Sequence, residues 1–181
     1  MSTDQKTQKK VQLLIDNLNK PEVKTQIQAI KDLKIHGNKS ALEPLVSLYV
    51  QSTNNVVKSE IEGLMNTLKA EDVQETVIEC LVDPDFESAQ QMLLASIWNS
   101  NLDYSEYLSE IVDTAVNGDF MIAMECLTIF ENIEAELTEE KIMSPLLTVN
   151  QYLNDNLGEE SPKHSLLTEI AIFLNHVSQS L

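Results

Sequence analysis

Arginine is absent from the 181 residues, and all twelve basic side chains are lysine. The planar guanidinium that grips phosphate, carboxylate or guanine through two parallel bonds is therefore missing. With twenty-nine acidic residues the formal net charge is −17, so a nucleic-acid backbone would be repelled by most of the chain. Glycine and proline are also scarce, at four and five residues, too few for the many turns of a sandwich or barrel. No apolar run exceeds five residues (120–124 and 170–174), whereas a membrane-spanning helix needs about twenty. The polar opening Met1-Ser2-Thr3-Asp4-Gln5-Lys6 leads into no signal-type apolar stretch, so a cytoplasmic location is expected. Cys80 and Cys126 are the only cysteines; both stand in apolar helical context and read as reduced, buried thiols.

What is present is a 43% hydrophobic composition, too apolar for intrinsic disorder and long enough for one core. Charge is distributed unevenly along it. Residues 1–69 hold ten lysines and seven acids, while residues 70–181 hold only Lys141 and Lys163 against twenty-two acids. Residues 1–10, with Lys6, Lys9 and Lys10, read as a basic, polar amino-terminal arm.

Apolar residues recur at helical spacing throughout. The first stripe runs over Val11–Leu18, the next over Val23, Ile27, Ile30 and Leu33, entered through Pro21 in its first turn and closed by His36-Gly37. Asn38 or Ser40 is positioned to cap a third helix holding Leu42, Leu45 and Leu48. Breaks at Thr53-Asn54-Asn55, near Ala70 and at Asp83-Pro84-Asp85 separate further helices. Beyond these the spacing predicts helices over 86–98, 104–116, 120–133 and 138–153, a loop over 154–161 and a last helix opened by Pro162. No period-two pattern occurs, so the chain is expected to be all-α.

The helices also repeat in pairs. Ile27 and Ile30 recur 34 residues later as Ile61 and Leu64; Asp85-Phe86 recurs as Asp119-Phe120, and Ala89 and Leu93 recur as Ala123 and Leu127. One helical hairpin per repeat cannot bury its own stripe, so hairpins must stack. The clearest repeat reads Ala29-Ile30-Lys31-Asp32-Leu33, then Gly37-Asn38, then Ala41-Leu42-Glu43-Pro44-Leu45-Val46-Ser47-Leu48. This resembles the helix–turn–helix junction of a HEAT repeat, with Lys58 after Val57 at the family's downstream basic position. The match is specific over residues 22–69 and rests on hydrophobic spacing alone from 70 to 155. The resemblance implies a right-handed α-α superhelix, a HEAT-like (armadillo-like) solenoid of four to five hairpins spanning 11–155, with residues 156–181 as a carboxyl-terminal capping helix of the same domain. It also implies protein–protein interaction through a curved helical surface.

Some proteins of this fold are enzymes or metal carriers, which leaves a HEAT-fold enzyme or metal-binding protein as an alternative. Its di-iron members use repeated His-Glu pairs. Here His36, His164 and His176 are followed by Gly, Ser and Val. No Gly-x-Ser-x-Gly elbow and no glycine-rich phosphate loop is present. The acidic run Glu131, Glu134, Glu136, Glu139 and Glu140 lacks the glycine and Asp-x-Asp spacing of a calcium loop, and it reads as a solvated turn between helices. No catalytic, cofactor-binding or metal-ligating residue is therefore expected, and no cofactor. Trp98, the only tryptophan, reads as packed between repeats, with an exposed anchor as the alternative.

Within the resemblance, the second helix of each pair lines the concave side, and those helices are expected at about 40–51, 71–82, 103–117 and 138–153. On them Glu75 and Glu79, then Glu106, Glu110 and Asp113, recur at spacings of three and four. Like charges so placed destabilise an isolated helix slightly. They are expected either to keep an apolar stack soluble or to form an acidic groove for a protein partner with a basic segment. A non-catalytic scaffold or interaction module is the reading that follows, with no nucleic acid or membrane as partner. A regulatory subunit of an obligate complex is the alternative within the same class.

Overall fold

A computed structural model describes residues 3–69, 72–158 and 160–181, and among these it holds helices and turns but no strand. The expected break near Ala70, the Glu159 position of the 154–161 loop and the first two residues of the amino-terminal arm lie outside the described residues. The chain divides into two compact units, Met1–Ser100 and Asn101–Leu181.

The first unit holds α1 (Thr3–Leu18), α2 (Val23–His36), α3 (Leu42–Gln51), α4 (Asn55–Met65), α5 (Gln74–Val82) and α6 (Gln90–Ser100). Helix α1 already begins within the polar segment read as an arm, and residues 5–10 are exposed all round. Its later turns bury Val11, Leu14 and Leu18. Pro21 falls just outside α2 rather than in its first turn, because Glu22 is the extended N-cap residue. The Gln26 side-chain amide closes that turn by donating to the carbonyls of Leu18 and Lys20. Between α2 and α3, the Asn38 carboxamide oxygen accepts from the backbone N–H of Ser40 at 3.0 Å and caps a 3₁₀ turn, Lys39–Ala41, that feeds α3. Asn54 caps α4 by accepting from Val56 and Val57. The Asp83-Pro84 break sets a 3₁₀ turn over Pro84–Ala89, in which Phe86 is non-helical, so α6 starts at Gln90 and not at Phe86.

The pairing of these helices follows one rule. α1 packs on α2, α3 on α4 and α5 on α6, while α1, α3 and α5 line up in one layer and α2, α4 and α6 in another. Neither α2 with α3 nor α4 with α5 makes a comparable contact. The phase of the hairpins is thus one helix away from the expectation: helices near 40–51 and 71–82 are the first members of their pairs, not the second. The reason lies at the junctions. The Gly37 and Asn38 turn passes the chain from one hairpin to the next, whereas the Asn54 turn closes a hairpin whose inner faces bury Leu45, Val57 and Ile61.

The second unit holds α7 (Leu108–Asn117), α8 (Phe120–Glu131), α9 (Glu139–Asp155) and α10 (Pro162–Ser180), with a 3₁₀ turn at Ser105–Tyr107 leading into α7. α7 pairs with α8 and α9 with α10, α7 lies along α9, and α8 lies along α10. Asp119 caps α8 by accepting from Ile122, and Ser161 caps α10 by accepting from His164. The core is built from Ile111, Val112, Cys126, Phe130, Val149, Leu167, Ile170 and Leu174. Phe130 and Phe173 meet with ring centroids 5.7 Å apart. α10 packs on both α8 and α9, as its wide apolar face requires. The repeat correspondence is incomplete in detail: Ala89 and Ala123 are both fully buried, but Leu93 is fully buried while Leu127 is only half-buried. α8 turns Cys126, Ile129 and Phe130 inward in its place.

Candidate interaction surface

The acidic residues singled out in the sequence fall in both units. Glu75 and Glu79 are exposed, one turn apart, on α5 of the first unit. Glu106 is exposed in the turn before α7, and Glu110 and Asp113 stand on α7, Glu110 half-buried and Asp113 exposed. All five lie on first helices of their hairpins, or on the turn leading into one, and not on second helices.

Local structure separates them into three kinds. Glu75 and Glu110 occupy the first turns of α5 and α7. There a carboxylate faces the partial positive charge of unpaired amides and contributes about 0.3–1 kcal/mol to the helix. Glu106 is neutralised: the Lys141 ammonium lies 2.6 Å from its carboxylate and donates also to the buried Ser105 hydroxyl at 2.8 Å. Glu79 and Asp113 sit beyond the first turn and have no described cation within ion-pair distance. Neither helix formation nor a salt bridge accounts for these two.

The second unit holds fifteen acidic residues and only Lys141 and Lys163. Both lysines are turned onto the unit itself. Lys163 donates to the Val116 carbonyl at 2.8 Å and stands 5.0 Å from the centre of the Tyr152 ring. The field of this unit is accordingly negative, with its few cations placed where they serve folding.

The sequence reading missed the Lys141–Glu106 contact. A signal for it existed, since the two residues are 35 apart, about one repeat, which puts them at corresponding places on stacked helices. Lys58 stands 4.7 Å from the centre of the Tyr49 ring. The Tyr49 hydroxyl donates to Glu62 at 3.0 Å, and burial together with that carboxylate pushes the phenol above its ordinary pKa.

Among the described residues no three His, Cys, Asp or Glu side chains converge as metal ligands would. The run Glu131–Glu140 spans the connection from α8 to α9. Cys80 and Cys126 are free and buried. Burial, with lesser contributions from Glu43, Asp83 and Glu79, pushes the Cys80 thiol from 9.0 to about 11. Cys126 is likewise pushed up, first by burial and then by Glu125, and its thiol donates to the Ile111 carbonyl at 3.4 Å. Trp98 is half-buried near the end of α6. No described helix is long and apolar enough to cross a membrane. No family model matches the chain, and no curated protein or solved structure is significantly similar to it.

Proposed function

We propose that this chain is a non-catalytic, HEAT-like interaction module of the cytoplasm, whose acidic first-helix surfaces receive a basic segment of a protein partner. The observation that carries the reading is the state of the charges in the second unit. Its lysines are spent on Ser105, Glu106, Val116 and Tyr152, which leaves a surface that presents carboxylates without mobile counter-charges. A basic ligand would find unmatched negative potential there, and its encounter would be accelerated at low ionic strength and slowed by salt. Exposed Glu79 and Asp113 are the side chains with least explanation in helix stability. Glu75 and Glu110 each add negative charge to their own unit while also stabilising their helices, and Glu106 contributes little because Lys141 holds it.

Affinity capture from the native cell, followed by mass spectrometry, tests the reading in its first step. The expected partner carries a lysine- or arginine-rich segment. In the second step that partner is offered to the variant in which Glu75, Glu79, Glu106 and Glu110 become Gln and Asp113 becomes Asn. Association is expected to slow about tenfold in low salt, with melting retained. Binding of the quintuple variant at the wild-type rate would return these carboxylates to a solubility role.

A further inference from the structure

The first unit holds a cavity of about 210 Å³ where the end of α2, the start of α3, the end of α4 and the N-cap of α5 meet. Its lining combines two features. The floor is apolar, with Leu42, Leu64 and Val73 each at most 5% exposed. Lys34, Lys69 and Asn38 also line it, and among the described lining residues none is acidic. In a chain of net charge −17 that is a local excess of lysine.

These polar groups are also set as donors. The Lys34 ammonium is held by a 3.0 Å bond to the Gly63 carbonyl, a neutral acceptor that fixes its position and leaves its charge intact. The Asn38 carboxamide oxygen is occupied by the Ser40 N–H and hydroxyl at 3.0 and 2.6 Å, so what this side chain has left to offer is its N–H₂. The nearby Asp72 carboxylate is paired with Lys39 at 4.0 Å. Three donors, two of them cationic, above an aliphatic floor match an anionic head on a short apolar body. Size narrows the body further: a dry cavity of about 150 Å³ accommodates benzene, so this one takes roughly six to nine heavy atoms.

We infer that this cavity binds a short aliphatic carboxylate, its oxygens against Lys34, Lys69 and Asn38 and its branched hydrocarbon on Leu42, Leu64 and Val73. Such a group occurs both as a free branched-chain acid and as the carboxyl-terminal leucine or isoleucine of a peptide. The site is independent of the acidic surfaces, and its test does not involve them.

The experiment is a methyl-resolved NMR titration of the full chain with four probes: 4-methylpentanoate, 4-methylpentanamide, N-acetyl-leucine and N-acetyl-leucinamide. Saturable shifts are expected for the Leu42, Leu64 and Val73 methyls with both acids, and at least tenfold weaker binding for both amides. Lys34→Gln with Lys69→Gln, changes at exposed positions, should weaken acid binding at least tenfold while the methyl spectrum of the free protein stays folded. Tighter binding of N-acetyl-leucine assigns the site to a peptide terminus, and tighter binding of 4-methylpentanoate assigns it to a free acid. Absence of saturable shifts with either acid, or amides binding as well as acids, would overturn the inference.

Discussion

Lys141 on α9 and Glu106 in the turn before α7 form an ion pair of 2.6 Å, and the same ammonium satisfies the buried hydroxyl of Ser105. One side chain thus ties α9 to the turn before α7 and cancels one of the five candidate carboxylates.

The pair divides those five carboxylates by function. Glu106→Gln should leave the rate of association with a basic partner within about twofold of wild type, while Glu79→Gln with Asp113→Asn slows it several-fold at low salt. Stability should move the other way. Glu106 is largely exposed, so its loss costs under about 1 kcal/mol. Lys141→Met strips a buried hydroxyl of its partner and costs about 1–3 kcal/mol. Urea midpoints and stopped-flow association in parallel check both halves; equal rate losses for Glu106→Gln and the double variant would contradict the division.

Leu93 and Leu127 are 34 residues apart at corresponding places of two repeats, yet only Leu93 is fully buried. Leu93→Ala is expected to cost about 2–5 kcal/mol through a cavity that its neighbours close only in part. Leu127→Ala should cost about half of that or less, because solvent already reaches the side chain. Equilibrium unfolding of the two variants decides it, and equal losses would mean that α8 is rotated from the orientation described.

Two glycines in the first unit should respond to alanine in opposite directions. A Cβ at Gly37 would lie 2.5 Å from the Leu33 carbonyl oxygen, which is backbone and does not yield easily. Gly37→Ala is therefore expected to destabilise by about 1–3 kcal/mol. Gly63 sits inside α4, and beyond its chain neighbours and its own helix backbone nothing lies within 4 Å of its would-be Cβ. Gly63→Ala should stabilise by about 0.5–1 kcal/mol, by restricting the unfolded chain and favouring helix. Thermal melts of both variants in one buffer are sufficient.

The thiols give a pH signature. With Cys80 raised from 9.0 to about 11, only about one thiol in a thousand is ionised at pH 8, and thiolate is the reactive form. Iodoacetamide at pH 8 should modify neither Cys80 nor Cys126 in the folded protein and both after unfolding, as read by intact mass. The sign of the linkage follows. The folded state holds this proton more tightly than the unfolded state, so the contribution is whole below pH 9 and is lost as pH rises through about 11. Cys80→Ser should flatten the decline in stability over that window.

The all-helical class, the ten helices of the described residues and most of their ends were legible in the residues, because each is set by local chemistry. Asn54, Asp119 and Ser161 accept from the first amides of their helices, and apolar spacing marks every buried face. What local chemistry does not carry is which neighbour each face meets. The apolar stripe of α3 fits α2 or α4 equally well as a pattern, and packing chose α4, so the hairpin phase read from the Gly37 junction came out one helix displaced. The candidate carboxylates behave in the same way. The five residues and their spacing are visible in sequence, but whether each charge is available depends on atoms far along the chain. Lys141, 35 residues downstream of Glu106, reaches it only because α9 lies along α7. Charge composition is a property of the chain; the field it makes is a property of the fold, since ion pairing falls off within a few ångströms and only tertiary packing sets those distances.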